Sequence, residues 1–157
     1  MREKTTNKIS QLSLLIALTM ILGYYLKVPT PTGILPLLDV GVFLTAFLYG
    51  SKEGALVGGL SAFLLDLLSG YPQWMFFSLF FHGLQGYFAG FKGKSRLVGL
   101  CLASLVMVAG YALAGSLLHG WGAALAEVLP NFLQNLLGIL LALGLKKILV
   151  RQVGWTS

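Results

Sequence analysis

The sequence predicts an all-α integral membrane protein, a single domain of six transmembrane helices filling residues 1–157 with both termini in the cytoplasm. Composition is the first reason. Of 157 residues, 57% are hydrophobic and only 10% charged, against roughly 25% charged in an ordinary soluble domain. So few charges cannot cover a water-facing surface, which excludes a soluble globular enzyme. Length is the second reason. A spanning helix needs about 20 mainly apolar residues, so six consume roughly 120 positions and leave only short loops. The third is the placement of charge. The net charge of +6 is spread as small groups between apolar runs: Arg2, Lys4 and Lys8; Lys52; Lys92, Lys94 and Arg96; Lys146, Lys147 and Arg151. Nucleic-acid binding would gather them in one stripe. Short cytoplasmic loops produce this spacing instead.

Helix 1 is expected from Ile9 to Leu26. Its basic-then-apolar start imitates a secretory signal, but no small-x-small cleavage site follows and the run is long enough to span. A retained helix is expected. The next stretch, Lys27 to Pro36, holds Pro29, Pro31 and Pro36, which forbid a continuous helix and impose a stiff extended loop. Further helices follow from Leu37 to Gly50, Gly54 to Gly70, Gln73 to Phe91, Leu97 to Leu118 and Ala123 to Leu145. The second is short enough to be re-entrant. Counting it as a span puts every Lys and Arg except Lys27 on one side, which is why six crossings is the consistent solution. Cys101 stands alone in an apolar run, so packing is expected of it, with no disulfide framework and no thiolate metal site.

Small residues recur every four positions at Gly50, Gly54, Gly58 and Ala62, and again at Ala55 and Gly59. Such stripes let helix backbones approach closely in lipid. Packing within the chain is the expectation for helix 3. Helix 1 carries a similar pair, Ser13 and Ala17, for which internal packing and a partner subunit are equally open.

Polar residues inside membrane spans are costly and are functional candidates by default. The topology gathers nearly all of them in the outer half. Asp39 opens helix 2 and Asp66 lies near the outer end of helix 3. Trp74, Ser78, His82 and Gln85 share one face of helix 4, with Phe77 beside them. Tyr111 and His119 approach the outer end of helix 5, and Glu127, Asn131, Gln134 and Asn135 form a stripe on helix 6. An outward-opening polar cavity with aromatic walls follows. Plainer roles stand beside this one. Asp39 can cap helix 2, Trp74 and Trp121 can be interfacial anchors, His82 can be a core histidine, His119 can be solvated, and the helix 6 stripe can be structural hydrogen bonding.

The chain has no GxxxxGK[ST] loop, no HExxH, no GxSxG and no Cys/His cluster. No cofactor, metal or catalytic residue is expected. Asp39 and Asp66 would suit an intramembrane aspartyl hydrolase, but neither Leu38-Asp39-Val40 nor Leu65-Asp66-Leu67 resembles the aspartate surroundings of lipoprotein signal peptidases. A membrane scaffold of the rod-shape-determining type is the other alternative.

The stretch from Asp39-Val-Gly-Val-Phe-Leu-Thr-Ala-Phe-Leu-Tyr-Gly-Ser-Lys-Glu-Gly to Asp66-Leu-Leu-Ser-Gly-Tyr, with His82-Gly-Leu-Gln-Gly-Tyr-Phe-Ala-Gly after it, resembles the substrate-binding S component of energy-coupling factor (ECF) vitamin transporters. The resemblance covers essentially the whole chain. It implies six spans binding one vitamin or precursor near the outer face, under the loops after helices 1, 3 and 5. It also implies a coupling transmembrane subunit and two ATP-binding subunits as partners, and bodily reorientation in the membrane. A small-residue motif on helix 1 would contact the coupling subunit. Here the matching positions are Ser13 and Ala17, which depart from the usual pair of alanines.

The candidate pocket holds carboxylates and amides, and Lys27 is the lone outer cation. That suits a neutral or weakly basic heteroaromatic stacked on Trp74, Phe77 or Tyr111 and bonded to Glu127 and Asn131. It does not suit a multi-anionic ligand such as folate. Within the family the chain looks nearest to members for pyridoxine or the thiamine precursor hydroxymethylpyrimidine, with riboflavin next.

Overall fold

The computed structural model describes the backbone of residues 2–30 and 34–153 and the side chains of residues 6–30 and 34–152. Pro31 of the expected stiff loop, and the Arg2 and Lys4 side chains of the first basic group, lie outside the described residues. Six α-helices follow in order: α1 Arg2–Tyr25, α2 Asp39–Tyr49, α3 Ser51–Ser69, α4 Met75–Ala89, α5 Arg96–His119 and α6 Trp121–Val153. Each falls on an expected helix, but the bounds differ. Apolar runs mark what lipid can cover, whereas backbone hydrogen bonding continues past them. So α1 begins in the polar residues before Ile9, and α6 runs on past Leu145 for 33 residues in all, about 50 Å. Conversely α4 is shorter than expected, because the turn containing Pro72 delays its start until Met75.

Three segments, Thr6–Tyr25, Gly93–His119 and Trp121–Gln152, are long and apolar enough to cross a membrane by length and composition. The short α2, only 11 residues, lies in the middle of the bundle, with Val42, Phe43 and Ala46 all but inaccessible. A tight turn at Gly50 (φ 108°) sends α3 back along it. Leu38 accordingly packs with Ala62, Ala46 faces Gly54, and Val42 faces Gly58.

The helix 3 glycines pack inside the chain. A Cβ on Gly58 would collide with the His82 carbonyl oxygen, and one on Gly86 with the Gly54 carbonyl oxygen. The α3–α4 seam therefore brings backbone against backbone. Ser13 and Ala17 instead lie exposed on α1, beside exposed Leu14, Leu18 and Ile21. Cys101 also departs from expectation. It is exposed on α5 rather than packed.

The connection after α1 adds a feature the sequence did not suggest. Lys27–Pro29 and Ile34–Pro36 pair as a short antiparallel ribbon, with Val28 opposite Leu35. Burial is distributed inside out. Leucines and phenylalanines cover the outside, while Asp39, Thr45, Gln85 and Asn135 are at most 1% exposed.

Candidate functional site

Asp66 sits in the last turn of α3. That helix ends at Gly70 in a left-handed conformation (φ 84°), whose N–H returns to the Asp66 carbonyl together with that of Tyr71. This glycine-closed end fixes where the Asp66 side chain leaves the helix. The chain then turns, Trp74 N–H donating to the Tyr71 carbonyl at 3.0 Å, and enters α4. Trp74, Ser78, His82 and Gln85 repeat at helical spacing and are all buried. Opposite them α6 presents Glu127 and Asn131, locked together by Asn131 Nδ2 donating to the Glu127 carbonyl at 2.9 Å.

These elements surround a cavity of about 590 Å³, including the open space at its mouth. Of the residues singled out in the sequence, Asp66, Trp74, His82, Tyr111, Glu127, Asn131 and Gln134 line it together. No Lys or Arg does. Three others are placed elsewhere. Phe77 stands against Trp74, centroids 6.2 Å apart, outside the lining. Asn135 lies off the cavity and accepts Ser104 Oγ at 2.7 Å. Asp39 is fully buried and meets His82 Nε2 at 3.3 Å. Asp39 does not cap α2, since neither carboxylate oxygen has a hydrogen-bond partner.

The lining also has parts the sequence left unmarked. Ile34, Leu35 and Pro36 come from the second strand of the ribbon, Thr30 follows the first, and Tyr71 comes from the α3–α4 turn. Three prolines flagged an extended chain, but strand pairing is what brings it to the cavity. Ser78 shared the helix 4 face without being chosen as a candidate.

A continuous polar chain runs along one wall. Ser78 lines the cavity with Asp66, its Oγ lies 2.6 Å from Tyr111 OH, and Tyr111 OH lies 3.2 Å from His82 Nδ1. His82 is thus hydrogen-bonded at Nδ1, while its Nε2 stands 3.3 Å from Asp39 Oδ1. Trp74 is 7% exposed and packs over Tyr111 at 5.7 Å and His119 at 5.8 Å. It is a wall of the cavity rather than an interfacial anchor, whereas Trp121 is exposed. Among the described residues, no group of three His, Cys, Asp or Glu could hold a metal ion.

Residues 3–151 match the family described as "ECF-type riboflavin transporter, S component". The chain belongs to this family of ECF-type S components. It is 42% identical over 154 residues to the "Thiamine precursor transporter HmpT" of Lactococcus lactis subsp. cremoris (strain MG1363), covering 96% of this chain and 92% of the relative. It is also 33% identical over 135 residues to an "Uncharacterized protein in gap 3'region" of Pyrococcus woesei, covering 82% and 90%. This S component is therefore a membrane transport protein and not an enzyme. The hydrolase and scaffold alternatives fall with that assignment.

Proposed function

We propose that this S component captures a small aminopyrimidine or pyridine, hydroxymethylpyrimidine first and pyridoxine second, in the cavity beneath the ribbon. The observation that carries the reading is the lining. It offers two carboxylates (Asp66 and Glu127), two amides (Asn131 and Gln134) and aromatic rings (Trp74 and Tyr111), with no Lys or Arg among the described residues. An aminopyrimidine presents N–H donors beside a flat ring, which carboxylates and aromatic faces complement. The relative named as a thiamine precursor transporter supports the same choice. Riboflavin is the second reading, favoured by the family description.

In this reading all six helices span, both termini are cytoplasmic and the cavity opens outward. A coupling transmembrane subunit docks on the exposed Ser13–Ala17 face of α1, and two ATP-binding subunits drive delivery inward. The chain has no phosphate-binding loop of its own.

The test is a thermal-shift screen of the purified protein against hydroxymethylpyrimidine, pyridoxine, riboflavin, thiamine and folate. A ligand at 100 times its Kd stabilises the fold by about 2.7 kcal/mol. A shift with hydroxymethylpyrimidine supports the reading. A shift with riboflavin alone replaces it with the second. No shift from folded protein overturns both.

A further inference from the structure

We propose that the end of the bundle away from the cavity binds the headgroup of an anionic phospholipid, held by Arg96 of α5 and Lys146 of α6 beside Phe47, with Lys92 at the rim. The proposal does not depend on which ligand the cavity takes. Two cations from different helices meet at one residue. Lys146 Nζ donates to the Phe47 carbonyl at 2.9 Å, and the Arg96 guanidinium stands over the Phe47 ring, 5.1 Å from its centroid. Phe47 lies in the last turn of α2, where carbonyls lack partners within the helix and attract a cation. Lys92 is tied to the same place by the short turn Gly93–Ser95. Ser95 Oγ donates to the Lys92 carbonyl at 2.9 Å, and the Arg96 N–H to that of Gly93.

These contacts hold the cations without cancelling their charge, because a carbonyl and an aromatic ring bring no countercharge. The described carboxylates are engaged elsewhere. Glu53 bonds Lys8, Asp39 stands against His82, and Asp66 and Glu127 line the cavity. Positive charge gathered in this way attracts an anion. Arg96 and Lys146 are also half-buried and already ordered, so an anion that binds them costs little further side-chain entropy.

The surroundings decide for lipid. Arg96 and Lys146 lie near the matching ends of Gly93–His119 and Trp121–Gln152, segments apolar and long enough to cross a membrane. Leu97, Val98, Leu145 and Ile148 beside them are exposed. Charge next to bare apolar side chains fits an amphiphile, whereas a free phosphate would leave the apolar part uncovered. The planar guanidinium matches a phosphodiester, and basic pockets between spanning helices take acidic headgroups.

The experiment places the full chain in nanodiscs of phosphatidylcholine alone or of equal parts phosphatidylcholine and phosphatidylglycerol. Native mass spectrometry of protein released from the mixed discs should show phosphatidylglycerol retained over phosphatidylcholine by about tenfold, the worth of one charge-assisted hydrogen bond. The thermal midpoint should be higher in the mixed discs. Arg96→Gln and Lys146→Gln should each remove most of the preference and bring the two midpoints together. Lys52→Gln removes the same charge from an exposed site on α3 and should keep both effects.

No preference in wild type, a preference unchanged in Arg96→Gln and Lys146→Gln, or equal loss in Lys52→Gln overturns the proposal. Inorganic phosphate and glycerol 3-phosphate, added to phosphatidylcholine discs, should leave the midpoint where it was. Full protection by either would make this a site for a free anion and overturn the lipid. Should Lys146→Gln fail to fold for want of its bond to α2, Arg96→Gln and Lys52→Gln decide. Equal behaviour in the two discs, with a copurifying membrane protein lost in Arg96→Gln, would give the cations to an acidic protein surface and overturn the proposal.

Discussion

Around Ser78 and Tyr111 the bundle encloses Asp66, His82, Glu127 and Asn131. At the other end it encloses Phe43, Phe47, Ala89, Ala103 and Ala142, one apolar cluster. Both ends are clothed in the same exposed leucines, so the difference lies only inside. In lipid there is little hydrophobic gain from gathering apolar side chains, and helices are held by close packing and polar bonds. The apolar end therefore depends on shape and the cavity end on hydrogen-bond partners. Several partners are missing there within the protein, including those of Asp66 Oδ2 and Gln134 Oε1. Sites left open in this way are available to a ligand.

The strongest attempt to break this comparison is Gly86→Ala, in the seam. Alanine is the better helix former by about 1 kcal/mol, yet its Cβ would meet the Gly54 carbonyl oxygen on a rigid backbone. A loss of about 3 kcal/mol is expected, read as a lower thermal midpoint or aggregation in detergent. Unchanged stability would mean the helices are not held by backbone contact.

Glu127→Gln addresses the cavity end. Affinity for the ligand found in the screen should fall by about tenfold or more, with the thermal midpoint of the free protein nearly unchanged, because a charge-assisted hydrogen bond is worth about 1.5–3 kcal/mol. Equal affinity in calorimetry would remove Glu127 from the binding surface. The reverse pattern is expected for Phe47→Leu in the apolar cluster. It should cost about 1 kcal/mol of stability and leave affinity within about twofold, a change smaller than one hydrogen bond. Loss of affinity in that variant would show that the two ends are not independent.

The smallest effect belongs to the rim. Lys8 Nζ bonds Glu53 Oε1 and holds that carboxyl below its ordinary range. A lowered folded-state value stabilises at neutral pH, and the stabilisation is lost as pH falls below the usual glutamate value of about 4 through the folded-state one. Removing the pair with Glu53→Gln should cost less than about 1 kcal/mol and abolish that acid-side loss in a pH series of melting curves.

Much of this was legible before any coordinates. Apolar runs and basic punctuation placed six helices because hydrophobicity and charge are properties of each segment separately. Trp74 and His82 on α4, and Glu127 and Asn131 on α6, could be grouped because helical periodicity aligns them within one element. The ribbon could not be read this way. Its prolines exclude a helix, but pairing Val28 with Leu35 depends on the ends of two helices holding the strands together. Asp39 was legible as a candidate and not as a partner of His82, since nothing in local spacing relates α2 to α4.

By itself, then, the sequence determined the class, the helix order, the family resemblance and which face of each helix is polar. These follow from local hydrophobicity, charge and period. Only the tertiary structure decided which polar faces meet. It put Asp66, Tyr111 and Glu127 around one space while sending Asn135 to Ser104 and Asp39 beneath the wall. The physical reason is the glycine seam. How closely α3 lies on α4 fixes how far each side chain reaches across the bundle, and that distance is set by backbone contacts between residues far apart in the chain.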